Sequence, residues 1–188
     1  MSRTGWPGSI VVLVILGILA VGLPLANSVV ADATVPIRAG TVIEVGQEFD
    51  GGSRPVSMLV PAGWALDEGA SSLSESVSLV SGGATVQLGV IDVQSATPQE
   101  LWTGQRLIFK AQGVPISAES PTPVTTTQGV PGLAGMISVD DRIGTQAVFA
   151  APQQGASVLV AGDPAAIASR SDDITQMIAS IQFAGVEQ

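Results

Sequence analysis

The sequence predicts an α+β fold: an antiparallel β-sheet flanked by two main helices, preceded by one N-terminal transmembrane helix. Three observations carry this. A run of 28 residues, Thr4 to Ala31, contains no charged side chain. Short β-patterned segments separated by tight-turn residues fill most of the remaining chain. Two segments carry apolar residues at helical spacing, and two such stripes must be buried against a sheet rather than only against each other.

The N-terminal element comes first. Ile10 to Ala31 is 22 residues, or roughly 33 Å as a helix, enough to cross a bilayer core. Ile10, Val14, Ile18 and Val21 mark the membrane anchor, taken as residues 9–31 after a short cytoplasmic segment, 1–8. Arg3 precedes the run and Asp32 succeeds it. The excess of positive charge on the cytoplasmic side then sets the N-terminus inside and the remaining chain outside. The rival is a cleaved signal peptide, cut after Ala31 or Ala33, since Val29-Val30-Ala31 and Ala31-Asp32-Ala33 both suit a signal peptidase. Both readings put residues 32–188 outside the cytoplasm, at a cell membrane or beyond it.

Residues 32–53 read as an extracytoplasmic tether with one short strand, Thr41 to Val45, between the Pro36 and Gly51-Gly52 breaks. A single domain is expected over 54–184, with 185–188 as a tail. Val56 to Val60 alternates and stops at Pro61-Ala62-Gly63-Trp64. Ser76 to Val80 and Ala84 to Val93 form a hairpin about Gly82-Gly83. The first helix opens on Thr97-Pro98-Gln99-Glu100, a capping box with Pro at the first helical position. Leu101, Trp102, Ile108 and Phe109 form its apolar stripe, and Gly113 stops it. Val124–Thr127, Leu133–Val139, Thr145–Ala151 and Ala156–Ala161 form a second run of strands. A helical turn is expected between Asp163-Pro164 and Ser169. A closing helix starts near Ser171, with Asp172 and Asp173 in its first turn and Ile174, Met177, Ile178 and Ile181 on one face.

Composition narrows the chemistry. The chain has no Cys, no His and no Tyr, and a net charge of −9. Ser-His and Cys-His nucleophile pairs, thiolates, disulfides and ordinary structural zinc sites are therefore excluded. The acidic balance repels phosphate backbones, so no nucleic-acid partner is expected. Asp140-Asp141 lacks the further oxygen ligands of a calcium loop and reads as a solvated turn. Lys110, the only lysine, could serve a Ser-Lys dyad, but its place at a helix C-terminus is explained by the dipole. The Gly-rich stretches at 82–83 and 129–135 lack the lysine and flanking elements of a phosphate loop. Neither a catalytic, a metal nor a cofactor site is expected. Trp64 reads as a core corner. Trp102 reads as core, or as part of an apolar groove formed with Leu101, Ile108 and Phe109 between helix and sheet.

The order of elements resembles the PsbP-like fold family. The resemblance spans residues 54–184. It rests on Pro61-Ala62-Gly63-Trp64 at a strand end, helix entry at Thr97-Pro98-Gln99-Glu100-Leu101, a meander through Gly135 and Phe149, and a closing helix running into Ser180-Ile181-Gln182-Phe183. The family includes a thylakoid photosystem accessory protein, Ran-binding Mog proteins and LpqN-type mycobacterial envelope lipoproteins. The resemblance implies an α/β/α sandwich that binds and assists rather than catalyses. Few lysines with much Ala, Val and Gly look like an actinobacterial member. The Cys that would carry a lipid in the lipoprotein members is missing, and a transmembrane anchor would replace it.

Three functions are expected on these grounds. The first is a membrane-anchored, non-catalytic extracytoplasmic accessory module of a bacterial cell-envelope protein complex. The alternative is a carrier or sensor of an apolar envelope ligand such as a lipid, held in the groove. The third is a hydrolase working with carboxylates alone.

Overall fold

The computed structural model describes residues 34–186 apart from 49–51, 94, 112, 114–115, 119 and 140–141. The predicted anchor with Ile10, Val14, Ile18 and Val21, the segment 1–8 and the Asp140-Asp141 turn lie outside the described residues. Among the described residues, no helix is long and apolar enough to cross a membrane.

In chain order the elements are β1 (Thr34–Pro36), β2 (Thr41–Val45), β3 (Val56–Val60), β4 (Ala65–Asp67), β5 (Ser76–Ser81), β6 (Ala84–Asp92), α1 (Pro98–Ala111), β7 (Ile116–Ala118), β8 (Thr122–Thr125), β9 (Pro131–Val139), β10 (Arg142–Ala151), β11 (Gln154–Gly162), α2 (Pro164–Ser169), α3 (Ser171–Ala179) and β12 (Gln182–Phe183). The expected α+β class holds. A nine-stranded sheet runs β1-β4-β5-β6-β11-β10-β9-β7, with β8 also paired to β9. Every pairing in it is antiparallel.

Local chemistry explains the turns. Ser81 pairs with Ala84, leaving Gly82 and Gly83 as a two-residue loop with φ of 55° and 88°. Positive φ at both positions is the geometry that matches strand twist, and glycine reaches it without a Cβ clash. The β10–β11 turn is tighter than the sequence suggests. Ala151 pairs with Gln154, so only Pro152 and Gln153 form the loop, and Gln153 takes φ 66°.

Alternation decides the layers. On one face of the large sheet, Val77, Leu79, Val86, Leu88, Ala147, Phe149, Val158 and Val160 form a buried cluster with Val56, Met58 and Val60 of β3 and with Ile174 and Met177 of α3. On the other face, Ile91, Val148 and Ala150 pack under Leu101, Trp102, Ile108 and Phe109 of α1. Each helix stripe thus finds the sheet it requires, but from opposite sides.

The expected single sheet is corrected in one respect. β3 joins a separate three-stranded sheet of order β12-β3-β2. Thr41–Val45 and Thr34–Pro36, read from the sequence as part of a tether, are both paired: β2 with β3, and β1 with β4. Val45 is fully buried. The C-terminal Gln182–Phe183 pairs with Ser57 and Val56. Such pairing across more than a hundred residues leaves no local pattern to read. It is held by Gln128, whose Nε2 donates to the carbonyls of Phe183 (3.0 Å) and Val186 (2.8 Å) and whose Oε1 accepts from the Phe183 N–H (2.7 Å).

The capping box of α1 forms as expected. The Thr97 N–H and Oγ1 donate to Glu100 Oε2 at 2.8 and 2.9 Å, and the Glu100 N–H donates back to Thr97 Oγ1 at 3.3 Å. These bonds favour the ionised carboxylate. The Thr97 backbone bond first, then its hydroxyl, hold Glu100 below its ordinary value of 4.5. A depressed folded value contributes stability that is present above the unfolded value and lost as pH falls through the folded one. Thr97→Ala should cost about 1 kcal/mol, read from denaturant midpoints at pH 7. The stability difference between wild type and Glu100→Ala should be constant at neutral pH and shrink below pH 4.5. A difference that grows on acidification would refute the capping role.

Candidate functional site

α1 places the four side chains singled out from the sequence. Leu101, Trp102, Ile108 and Phe109 are 8%, 2%, 8% and 2% exposed. A Cβ added at Gly155 would touch Leu101, and one at Gly135 would meet the Trp102 ring at 3.0 Å, so α1 approaches both strands closely. The structure brings the four together inside a packed helix–sheet layer, with Ile91, Val148 and Ala150. The stripe also includes Gln105, which is buried. Gln87 and Gln146 of the sheet are buried as well. Sequence reasoning passes over these glutamines, because a Gln in an alternating strand ordinarily marks the solvent face.

Asp172 and Asp173 stand in the first turn of α3, as expected, and Asp173 pairs with Arg170 at 3.1 Å. Lys110 lies in the last turn of α1. Trp64 is buried in the main core, at the turn where Gly63 has φ 83°. Among the described residues, no three acidic side chains gather closely enough to hold a metal ion.

An open site lies elsewhere, on the small sheet. Val42 opposes Leu59, Glu44 opposes Ser57, and Ser57 opposes Gln182 on the other side. The alternation that buries Val56, Met58 and Val60 turns Ser57 and Leu59 to the outer face. β12 pairs with only two residues of β3. Beyond it the C-terminus of α3 takes over: Ser180 Oγ accepts the Leu59 N–H at 3.0 Å and donates to the Met177 carbonyl at 2.8 Å. The Thr127 N–H donates to the Ala179 carbonyl at 2.8 Å. These bonds fasten helix end, sheet and loop around a notch of about 350 Å³ lined by Val42, Ser57, Leu59, Thr127, Gln176, Ala179, Ser180 and Gln182.

The lining contains no acid, no base and no cation. It offers two amides, three hydroxyls and a small apolar floor. Val42 is 55% exposed. The Ser180 hydroxyl is committed to a backbone carbonyl. The arrangement suits contact through hydrogen bonds and a few apolar atoms. Nothing local in the sequence marks it, because its walls come from four separated segments.

No protein-family model matches the chain, and no curated protein matches it. Solved structures do. Cyanobacterial PsbP (CyanoP) from Synechocystis superposes with a TM-score of 0.53 at 12% identity, covering 78% of this chain and 95% of that one. The Saccharomyces cerevisiae Ran-binding protein Mog1p superposes with a TM-score of 0.51 at 10% identity, again covering 78% and 95%. Identities this low speak to architecture alone. The chain has the PsbP-like fold, shared with cyanobacterial PsbP and yeast Mog1p.

Proposed function

We propose that this chain is a non-catalytic binding and accessory module that docks a protein partner through the notch on the small sheet. The observation that carries this reading is the uncharged, part-apolar lining with Val42 half exposed at its edge. The fold adds support, since one protein that shares it, Mog1p, is a Ran-binding protein. The setting we propose is a bacterial cell envelope, with the uncharged run from Thr4 to Ala31 anchoring the chain in the membrane and the domain outside. An actinobacterial source, with LpqN-type proteins as relatives, fits the composition. Leu101, Trp102, Ile108 and Phe109 are themselves buried against the sheet, so protein contact is the reading we favour.

A photo-cross-linking residue at position 42 of the full-length chain, expressed in membranes, should give a discrete adduct with one partner. Val42→Arg should weaken that partner's binding about tenfold, equivalent to about 1.4 kcal/mol, with the thermal midpoint unchanged because the side chain is exposed. Equal affinity for the Val42→Arg and wild-type proteins would remove the notch from the reading.

A further inference from the structure

β2 is the outermost strand of the small sheet, whose order is β12-β3-β2. The register fixes which of its backbone groups face outward. The Leu59 N–H donates to Ser180 Oγ, and the Pro55 carbonyl accepts from the Ala184 N–H. The odd-numbered residues of this stretch therefore point their peptide groups away from β2. Leu59 opposes Val42, and Ser57 opposes Glu44. Such pairs in an antiparallel ladder exchange no hydrogen bonds with each other, so the N–H and C=O groups of Val42 and Glu44 face the outer edge. Gly46, the next residue of that parity, has the same direction: its N–H donates to the Leu73 carbonyl at 2.8 Å. Among the described residues, no strand pairs with this edge.

An exposed strand edge is a template for another chain, and proteins blunt it by shortening the strand or placing proline in it. The other edges of this fold are treated so. β1 and β7 have three residues each and β12 has two. β1 ends in Pro36, and β8 contains Pro123. β2 has five residues and no proline. Val42, on its outer face, is half exposed and borders the notch. Glu44, on the same face, is exposed and accepts the Arg54 N–H at 3.2 Å. No cation pairs with the Glu44 carboxylate among the described residues, since the Arg54 guanidinium turns to Glu48. Arg38 lies in the turn before the strand.

We infer that β2 takes up an extended segment of a partner protein as an added strand of the small sheet, with an apolar side chain beside Val42 and a basic one beside Glu44. This deepens the notch reading and rests on it. The outward backbone groups of Val42 and Glu44 supply affinity for an extended chain, and the side chains supply selection. A strand laid beside β2 turns every second side chain to the face of Val42 and Glu44, next to the notch. The two selected residues of the partner are therefore separated by one residue. Opposite charges on neighbouring strands attract across the pair, and like charges repel. A second copy of this chain is the poorer occupant. Each copy carries a net charge of −9, and β2 contains no cation to set against Glu44 of another copy.

The test uses the full-length protein in lipid nanodiscs and a fluorescent, end-blocked peptide, Thr-Val-Thr-Lys-Thr-Val-Thr, with binding read by anisotropy. Its Val and Lys side chains share one face, and its symmetric order suits both strand directions. The peptide should bind saturably, and an analogue with Glu in place of Lys about tenfold more weakly. Only alternate amides of an added strand face β2: those of Lys and Val in an antiparallel strand, those of Thr in a parallel one. N-methylation of one set should therefore weaken binding about tenfold, and of the other set less than about twofold. Glu44→Gln keeps an acceptor for the Arg54 N–H and should abolish the preference for the Lys peptide over the Glu peptide. Equal effects of the two methylation sets overturn strand addition. A Lys peptide that fails to bind, or binds no more tightly than the Glu peptide, overturns the basic segment. A concentration-dependent dimer that is lost in Val42→Arg makes a second copy the occupant and overturns the partner. In each of these cases the notch reading stands if Val42→Arg still weakens the cross-linked partner; equal affinity there removes both.

Discussion

Gly144→Ala should destabilise the fold by about 3 kcal/mol, although it adds a single methyl group. Gly144 sits inside β10, paired with Ala161 of β11 on one side and Ile137 of β9 on the other. A Cβ there would overlap the carbonyl oxygen of Val160 and lie 3.2 Å from the carbonyl carbon. Both are backbone atoms of a central strand. They can yield only by distorting ladders that hold the middle of the large sheet, and this is why so small a group has so large an effect. Gly82→Ala is the useful control. Nothing lies within 4 Å of a Cβ at Gly82, but φ is 55°, so only the left-handed backbone penalty applies, roughly 1 kcal/mol. Urea midpoints of the two variants would separate lack of space from backbone strain. A Gly144→Ala protein as stable as the Gly82→Ala protein would mean that β10 and β11 do not approach this closely.

Trp102→Ala should cost about 3–5 kcal/mol. The ring is 2% exposed and packs with Ile108, Phe109, Val148 and Ala150 in the second core cluster. This prediction distinguishes the two readings that the sequence leaves open. A tryptophan lining an open groove could be truncated with little loss of stability and a large loss of ligand binding. A tryptophan that fastens α1 to the sheet shows the reverse. Trp102→Phe should retain most of the stability, because an aromatic ring still covers Gly135. Near-neutral stability of Trp102→Ala would restore the groove. Because α1 meets the large sheet on the face away from β3 and α3, the small-sheet resonances report whether the loss stays within one layer.

Much of the architecture is legible in the sequence because it rests on local rules. Thr97 and Glu100 declare a helix start through donors and acceptors three residues apart. Gly82-Gly83 declares a hairpin through φ alone. Val56, Met58 and Val60 declare a buried face through period two. The tertiary partners of those faces are not legible. Periodicity alone groups Val56 to Val60 into one sheet with its neighbours, yet it pairs with Thr41–Val45 and with Gln182–Phe183. No local pattern distinguishes one partner strand from another.

The candidate site divides in the same way. The apolar stripe of α1 is legible as a stripe, but whether such a stripe faces a core or an opening depends on what covers it, and the strands that cover it lie elsewhere in the chain. The notch around Val42 is invisible in the sequence for the same reason. Leu59 turns outward only because Val56, Met58 and Val60 turn inward, and Ser180 reaches Leu59 from 121 residues further along the chain. Composition and periodicity, which are properties of neighbours along the chain, determined the helices, most strands, the Gly82-Gly83 hairpin and the absence of His and Cys chemistry. The second sheet, the closure of the α1 layer over Gln146 and the open face beside β2 were decided by tertiary packing, because burial depends on which distant segment arrives to exclude water.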